Sequence, residues 1–388
     1  MKRVLHLVYE DIEEPTGGMA VHCAELAREL GKLGHYNLLF FISNSFQRAV
    51  AFKFAENVDC CRINHVGGWI DKGLLEFQRI MEYDFLVNVL GYIGSTNAKF
   101  DIIHIHDSHL WRVAVALKHL LRVPIIITVH LSPLLHGVQY STVPIDQYRC
   151  QTEGEAICES ERVLTVSRNY ADQLRELFLV EADVIGNGVD YEFLSRIEPD
   201  QSLITRLEFE NKNPVVCLVG RLTHQKGVHH FLEAANFLQD FNFILVSHME
   251  KRESPHQLRN QTMLAEQTVR NFRWINETSY IGKFRLMKSV DIGCVPSTFE
   301  PFGIVALEWM SLGVPFIVSQ AGGLAEFCTK ENSVTISSEG SGHLIRAIKS
   351  FRPDERRIEN AFRTVQEYTW GKVAERTYRA YRGVSHGS

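Results

Sequence analysis

The sequence predicts a doubly wound α/β protein made of two Rossmann-like halves, and three observations point there. Apolar runs of strand length alternate with helical patterns along the chain. The alternation stops once, over residues 184–214, and then restarts. At 388 residues the chain is also too long for one ordinary core.

In the first half, "RVLHLVY", "NLLFFIS", "DIIHIHD", "PIIITVH" and "RVLTVS" read as buried strands. Helical patterns follow at about 18–33, 74–92, 109–122, 152–160 and 168–179. The stretch 184–214 loses periodicity, turns polar and is the linker candidate. A second series follows, "PVVCLVGRL", "NFILVSH", "DIGCVPS", "PFIVS" and "SVTIS", each run with a helical stretch behind it. The tail reads as two amphipathic helices broken near Tyr368–Gly371.

Composition narrows the class. A hydrophobic content of 45% and a charged content of 22% are those of a soluble globular protein. No run of about 18 apolar residues suggests a membrane span, and "MKRVLHLVYEDIEEP" turns acidic too early for a signal peptide. Eight cysteines without a C-x-x-C argue for reduced, mostly buried thiols in a cytoplasmic protein, with neither a zinc site nor a disulfide framework. A net charge of −5 disfavours a nucleic-acid partner.

The chemistry-bearing residues gather at predicted strand ends. In "PSTFEPFGIVALEW" a strand ends in a loop with Glu300 and Gly303, a helix starts near Ile304, and Glu308 lies on its second turn. A phosphorylated ligand at that helix N-terminus could take N–H bonds from Gly303, Ile304 and Val305, with Glu300 and Glu308 accepting from hydroxyls on either side. Two carboxylates also suggest glycoside hydrolysis. Eight residues of helix span about 12 Å, beyond the roughly 5–9.5 Å of hydrolase pairs, so hydroxyl recognition fits better. The plain alternative is one loop glutamate and one solvated helix glutamate. In "CLVGRLTHQKGV", Arg221 and Lys226 place two cations on one loop at a strand's carboxyl end, suited to a diphosphate. Either alone would read as surface charge.

Together these residues resemble the retaining GT-B glycosyltransferases that include glycogen and sucrose synthases. The matching pieces are "GGMAVHCAELARELGKLGH", "TVH" at 128–130, "IGNGVD" at 185–190, "VGRLTHQKG" at 219–227, the E-x7-E pair Glu300/Glu308 with its "PFG", and "GG-x-x-E" at 322–326. The resemblance implies a GT-B fold, two Rossmann-like parallel-sheet domains facing a central cleft. Residues 1–195 would bind the acceptor and 196–367 the nucleotide-sugar, with a helix in 368–388 packing back on the first domain. It also implies donor contacts from Gly17, Gly18, Arg221, Lys226, Glu300, Phe302, Gly303, Ile304, Val305 and Glu308. Arg221 and Lys226 would meet the phosphates, Glu300 the sugar hydroxyls and Glu308 the ribose. His130 matches a histidine near the reacting centre, although it also reads as a satisfied core histidine ending an apolar strand.

The implied reaction retains the anomeric configuration, with the leaving diphosphate accepting the acceptor's proton. It uses no protein nucleophile, no cofactor and no metal, and the sequence has no D-x-D or His-rich cluster that would demand one. Closure between the domains would exclude water. Where relatives carry G-x-G after the second strand of the donor domain, this chain has Ser247 and His248. The donor base is not legible, UDP being the commonest case.

Four carboxylates (Glu10, Asp11, Glu13, Glu14) precede the Gly17–Gly18 turn. They would repel phospholipid or anionic glycan and attract a cationic acceptor, or else form a solvated loop without function. The mildly basic "WRVAVALKHLLR" has too few cations for stable membrane anchoring. "HIHDSHLW" and "TVHLSPLLHGVQYSTV" resemble 2-deoxystreptamine glycosyltransferases of aminoglycoside biosynthesis, which would put Asp107, Trp111, Tyr140, Glu13 and Glu14 in the acceptor pocket. That resemblance implies GlcNAc or Glc transfer from a UDP-sugar to a small, polar, cationic acceptor. Competing readings are a polysaccharide or glycolipid glycosyltransferase, a sugar-nucleotide epimerase, and an NAD-dependent dehydrogenase or non-catalytic nucleotide binder. Against the dehydrogenase, no G-x-G-x-x-G follows the first strand.

Overall fold

The computed structural model describes residues 1–15, 17–43, 50–64, 74–136, 143–247, 256–276 and 279–384. The chain divides into two compact units, Met1–Gly186 with Trp370–Ser388, and Asn187–Thr369.

The first unit runs β1 (Arg3–Val8), α1 (Gly18–Lys32), β2 (Tyr36–Ser43), β3 (Val50–Ala55), β4 (Val58–Asn64), α2 (Leu74–Thr96), β5 (Ile102–His106), α3 (Trp111–Leu121), β6 (Ile125–Val129), α4 (Pro144–Glu159), β7 (Arg162–Thr165), α5 (Arg168–Phe178) and β8 (Ala182–Val184). Its sheet has the order β3-β4-β2-β1-β5-β6-β7-β8, parallel except for the antiparallel β3–β4 pair. The central strands are buried throughout, as parallel strands covered on both faces must be. The strand order reverses between the parallel neighbours β1 and β5, which makes their carboxyl ends the natural place for a ligand.

The second unit contains α6 (Tyr191–Ser195), α7 (Gln201–Thr205), β9 (Val215–Val219), α8 (Val228–Phe237), β10 (Asn242–Val246), α9 (His256–Thr268), β11 (Phe272–Ile275), α10 (Tyr280–Lys288), β12 (Ile292–Val295), α11 (Ile304–Leu312), β13 (Phe316–Ser319), β14 (Val334–Ile336), α12 (Ser341–Lys349) and α13 (Glu355–Val365). Its all-parallel order, β11-β10-β9-β12-β13-β14, is that of a Rossmann sheet, with the switch point between β9 and β12. Val216, Leu218, Phe231, Phe243 and Phe272 anchor its core.

Several expectations change. The helix expected over 152–160 begins at Pro144, whose fixed φ suits a first helical position; its first turns are too polar to show a stripe. The interval 184–214 holds α6 and α7, capped by Asp190 and Asp200, and the units part at Gly186/Asn187 instead of at 195. Five-residue helices are too short to display a 3.6-residue period. The "PFIVS" strand leads into a 3₁₀ turn at Gly322–Glu326, not an α-helix. The hairpin β3–β4, with its turn at Asn57 (φ 54°), is an addition.

The tail helices belong to different units. Helix α13 stays with the second, whereas α14 (Trp370–Arg382) is part of the first. There Tyr381 is fully buried and its hydroxyl lies 2.7 Å from His104 Nδ1. Removing that hydroxyl strands a buried imidazole nitrogen, so Tyr381→Phe should cost about 1–3 kcal/mol, read as a lower urea midpoint at unchanged m-value.

Candidate active site

In the second unit, the loops after β9 and β12 meet at the switch point. Lys226 Nζ lies 2.5 Å from Glu300 Oε2, and Ser297 Oγ lies 3.3 Å from the same oxygen. The loops touch through backbone as well, Thr298 N donating to the Gln225 carbonyl at 2.8 Å. Gly227 (φ 69°) allows this approach, because a Cβ there would fall 1.9 Å from the Pro296 carbonyl oxygen. Behind Glu300, Gly323 N donates to its carbonyl at 2.8 Å. A Cβ on Gly322 would come within 2.4 Å of that oxygen.

Gly303 (φ 106°) turns the chain into α11. The helix therefore starts with the N–H groups of Gly303, Ile304 and Val305, which have no acceptor within their own helix. Glu308 follows one turn later, and Lys283 of α10 pairs with its Oε1 at 2.9 Å. Glu308 is only 8% exposed, and its Oε2 is buried without a hydrogen-bond partner among the described residues. Phe302 packs its ring on Phe327 and Tyr368, with centroids 5.2 and 6.0 Å away, so its side chain props the loop. Arg221 is partly buried at the carboxyl end of β9, its carbonyl accepting from Thr223 N at 2.8 Å. Lys283 has no counterpart in the sequence reading; only its placement opposite Glu308 reveals it.

In the first unit, the loop after β1 uses its acids locally. Glu10 Oε2 accepts from Ala20 N at 3.0 Å, which sets a carboxylate on the N-terminal turn of α1. A Cβ on Gly17 would be 3.1 Å from Glu10 Oε1, and Gly18 opens the helix. Asp11 is buried and its Oδ1 accepts from Glu13 N and Glu14 N. Glu13 is ion-paired with Arg62, whose Nε approaches to 2.8 Å. Glu14 is exposed. Three of the four carboxylates thus hold the loop itself.

At the end of β5, Asp107 adopts φ 58°, ψ 178°, a region that strongly favours glycine. Its Oδ1 accepts from His130 N at 2.6 Å and Leu131 N at 3.2 Å, tying the ends of β5 and β6 together. Burial pushes its carboxyl from 3.8 up to about 8, against the pull of those two N–H donors. Burial likewise raises Glu153 on α4 to about 7, although Leu134 N donates to it at 3.0 Å. Trp111, expected to line a pocket, is 1% exposed and belongs to the core, at the first position of α3. Tyr140 lies outside the described residues. Cations of α3 are paired, Arg112 with Glu155 at 2.9 Å and Lys118 with Glu161.

His130 is 8% exposed and lies beside further buried histidines, His6, His22, His104 and His106. The sequence shows no contiguous histidine cluster, yet the fold assembles one. Ring nitrogens of His6, His104 and His106, and of His22, His106 and His130, fall within 4.8 Å of one another, close enough to share an ion. An ion in either trio would have to displace a ring-to-ring hydrogen bond, since His6 Nδ1 lies 3.3 Å from His106 Nε2 and His106 Nδ1 lies 3.1 Å from His130 Nε2.

The family profile described as Glycosyltransferase Family 4 matches residues 16–193, and that of Glycosyl transferases group 1 matches residues 200–364. The chain belongs to the GT-B glycosyltransferases. It is 26% identical over 387 residues to an uncharacterized glycosyltransferase of Methanocaldococcus jannaschii, covering 95% of this chain and 94% of that one. It is 26% identical over 289 residues to a 2-deoxystreptamine glucosyltransferase of Streptomyces kanamyceticus, covering 69% and 72%. In fold it is similar to sucrose-phosphate synthase from Thermosynechococcus elongatus, with a TM-score of 0.83, 19% identity and 99% of both chains covered. Among the described residues of this glycosyltransferase, no helix is long and apolar enough to cross a membrane.

The buried acids and bases oppose each other in pH dependence. Between about 4 and 8 the folded state keeps a proton on Asp107 that the unfolded chain has released, so this residue lowers stability as pH rises. Burial holds His6 near 4, neutral when folded, so it lowers stability as pH falls below about 6.5. Asp107→Asn keeps an acceptor for His130 N and removes the first effect. Its urea midpoint should gain on the native protein from pH 5 to pH 8; equal pH slopes would contradict this assignment.

Proposed function

We propose that this glycosyltransferase transfers a hexosyl group, GlcNAc or Glc, from a UDP-sugar to a small, polar, hydroxylated acceptor with retention of configuration. The observation that carries the donor half is the orphaned Glu308 Oε2. A buried carboxylate oxygen without a partner costs about 1–3 kcal/mol or more, and a ribose hydroxyl donating to it would remove that cost.

The rest of the cradle supports the same reading. Lys226 rests on Glu300. A diphosphate, carrying more charge than one carboxylate, would draw Lys226 away and release Glu300 Oε2 to accept from sugar hydroxyls. Arg221, Lys226 and the N-terminus of α11 would then face the leaving group. In the proposed step the bond from the anomeric carbon to the phosphate oxygen breaks, and the acceptor oxygen bonds that carbon on the same face. The acceptor proton passes to the leaving diphosphate. No protein nucleophile, cofactor or metal is assigned to the step.

For the acceptor we favour an aminocyclitol such as 2-deoxystreptamine. The S. kanamyceticus relative bears that acceptor in its name, and Asp107 and Glu153 supply buried carboxyls whose raised pKa values an ammonium would reverse. Glu14 would add charge at the rim, whereas Glu13 is taken by Arg62.

The test is release of nucleoside diphosphate from UDP-GlcNAc and UDP-Glc, with and without 2-deoxystreptamine, with mass spectra and anomeric couplings of the products. Acceptor-dependent release of an α-linked monoglycosylated aminocyclitol is expected. Release only with a neutral sugar or lipid acceptor would discard the aminocyclitol, and a β-linked product would discard retention. Lys226→Met should lower kcat/KM about 10²–10³-fold; an unchanged rate would remove it from the donor site.

A further inference from the structure

One face of the first sheet carries a chain of hydrogen-bonded rings whose direction is set at its far end. Asn37 on β2, His6 on β1, His106 on β5 and His130 just past β6 all point to that face. The register makes this so: Asn37 pairs with Val4, two residues from His6; His6 pairs with His104; and His106 pairs with Thr128, two residues from His130. Along the chain, Asn37 Oδ1 lies 3.1 Å from His6 Nε2, His6 Nδ1 lies 3.3 Å from His106 Nε2, and His106 Nδ1 lies 3.1 Å from His130 Nε2. The rings are near-coplanar and edge-on, with planes 18° apart for His6 and His106 and 26° for His106 and His130. Each lone pair therefore lies in the plane of the next N–H.

Proton positions follow by elimination. Asn37 Nδ2 donates to the His35 carbonyl at 2.8 Å. Flipping the amide would set Oδ1 against that carbonyl, so Oδ1 must face His6. His6 then carries its proton on Nε2 and accepts at Nδ1. A neutral imidazole has one donor and one acceptor, so His106 is forced to Nε2–H, and His130 after it. Burial favours the neutral ring at all three positions.

We propose that Asn37, three strands away, is a positioning residue that fixes the tautomer of His130, so that His130 offers Nδ1 as an acceptor and selects a sugar hydroxyl able to donate to it. No side chain among the described residues bonds His130 Nδ1. Asp107 holds the backbone N–H of His130, which fixes where the ring starts; Asn37 fixes what the ring presents. The role of Nδ1 toward a sugar rests on the reaction proposed above, whereas the tautomer itself does not.

The test is long-range ¹H–¹⁵N spectroscopy of histidine-labelled full-length protein without substrate, His130 being assigned by the loss of its signals in His130→Gln. The expected result is a pyrrole-type Nε2 and a pyridine-type Nδ1 for His6, His106 and His130. Asn37→Leu should give His130 a mixture of tautomers although the two residues do not touch. Should that variant fail to fold, His106→Phe cuts the chain nearer its end and should do the same. Donor kcat/KM in either variant should fall about ten-fold, a hydrogen bond's worth. Nδ1–H on His130 in the native protein overturns the proposal, as does a bound metal with the rings in a ligating pattern. An unaltered His130 tautomer in both variants overturns it too. The native tautomer pattern in a protein without transferase activity would instead sink the reaction and leave the relay standing.

Discussion

Three loops of the second unit approach so closely at the carboxyl ends of β9, β12 and β13 that side chains cannot fit between their backbones. Added Cβ atoms would come within 1.9 Å of the Pro296 carbonyl from Gly227, 2.4 Å of the Glu300 carbonyl from Gly322 and 2.2 Å of the Pro301 carbonyl from Gly323. This contact sets the position of Glu300 and, through Gly303, the start of α11. It brings Lys226 to Glu300 and leaves Glu308 one turn inside the helix. Charge is balanced pairwise, Lys226 with Glu300 and Lys283 with Glu308. Each pair sets a lysine against a nearly buried carboxylate, at a desolvation cost that hydrogen-bonding ligands would offset.

The first unit solves a different problem. Five histidines in a sheet-and-helix core would be ruinous as cations, and burial keeps His6, His104, His106 and His130 neutral. Neutral rings still need partners. His104 finds Thr128 and Tyr381, the latter supplied by α14 from the chain's far end, which ties that helix to the unit. The strain at Asp107 is local to the strand ends that hold His130, where fixed geometry serves a ligand best.

Much of this was legible in the sequence, for identifiable reasons. Central parallel strands are continuous apolar runs, and Arg221, Lys226, Glu300 and Glu308 sit at fixed offsets from two of them. The hairpin β3–β4 escaped because β3 is an edge strand of mixed polarity, although the alternation in "VAFKFA" and the following Asn57 were signals. Lys283 and Glu153 come from helices whose register against the site no local pattern gives. The histidine chain needs strand order: His104 and His106 share a face by alternation, but His6, Asn37 and His130 join them only once β2, β1, β5 and β6 are known to be neighbours. The acidic loop misled because net charge does not say where carboxylates point, and Glu10, Asp11 and Glu13 have partners close by.

The most direct measurement is calorimetric titration of the native protein and Glu308→Gln with UDP, ADP and GDP, and with the 2′,3′-dideoxy form of whichever binds. One site per chain is expected, with about ten-fold weaker binding of the ribonucleotide to Glu308→Gln. The dideoxy form should bind both proteins alike, because the carboxylate then has no hydroxyl to accept. Binding of none of the three diphosphates, or an equal loss for ribose and dideoxyribose forms, would contradict it.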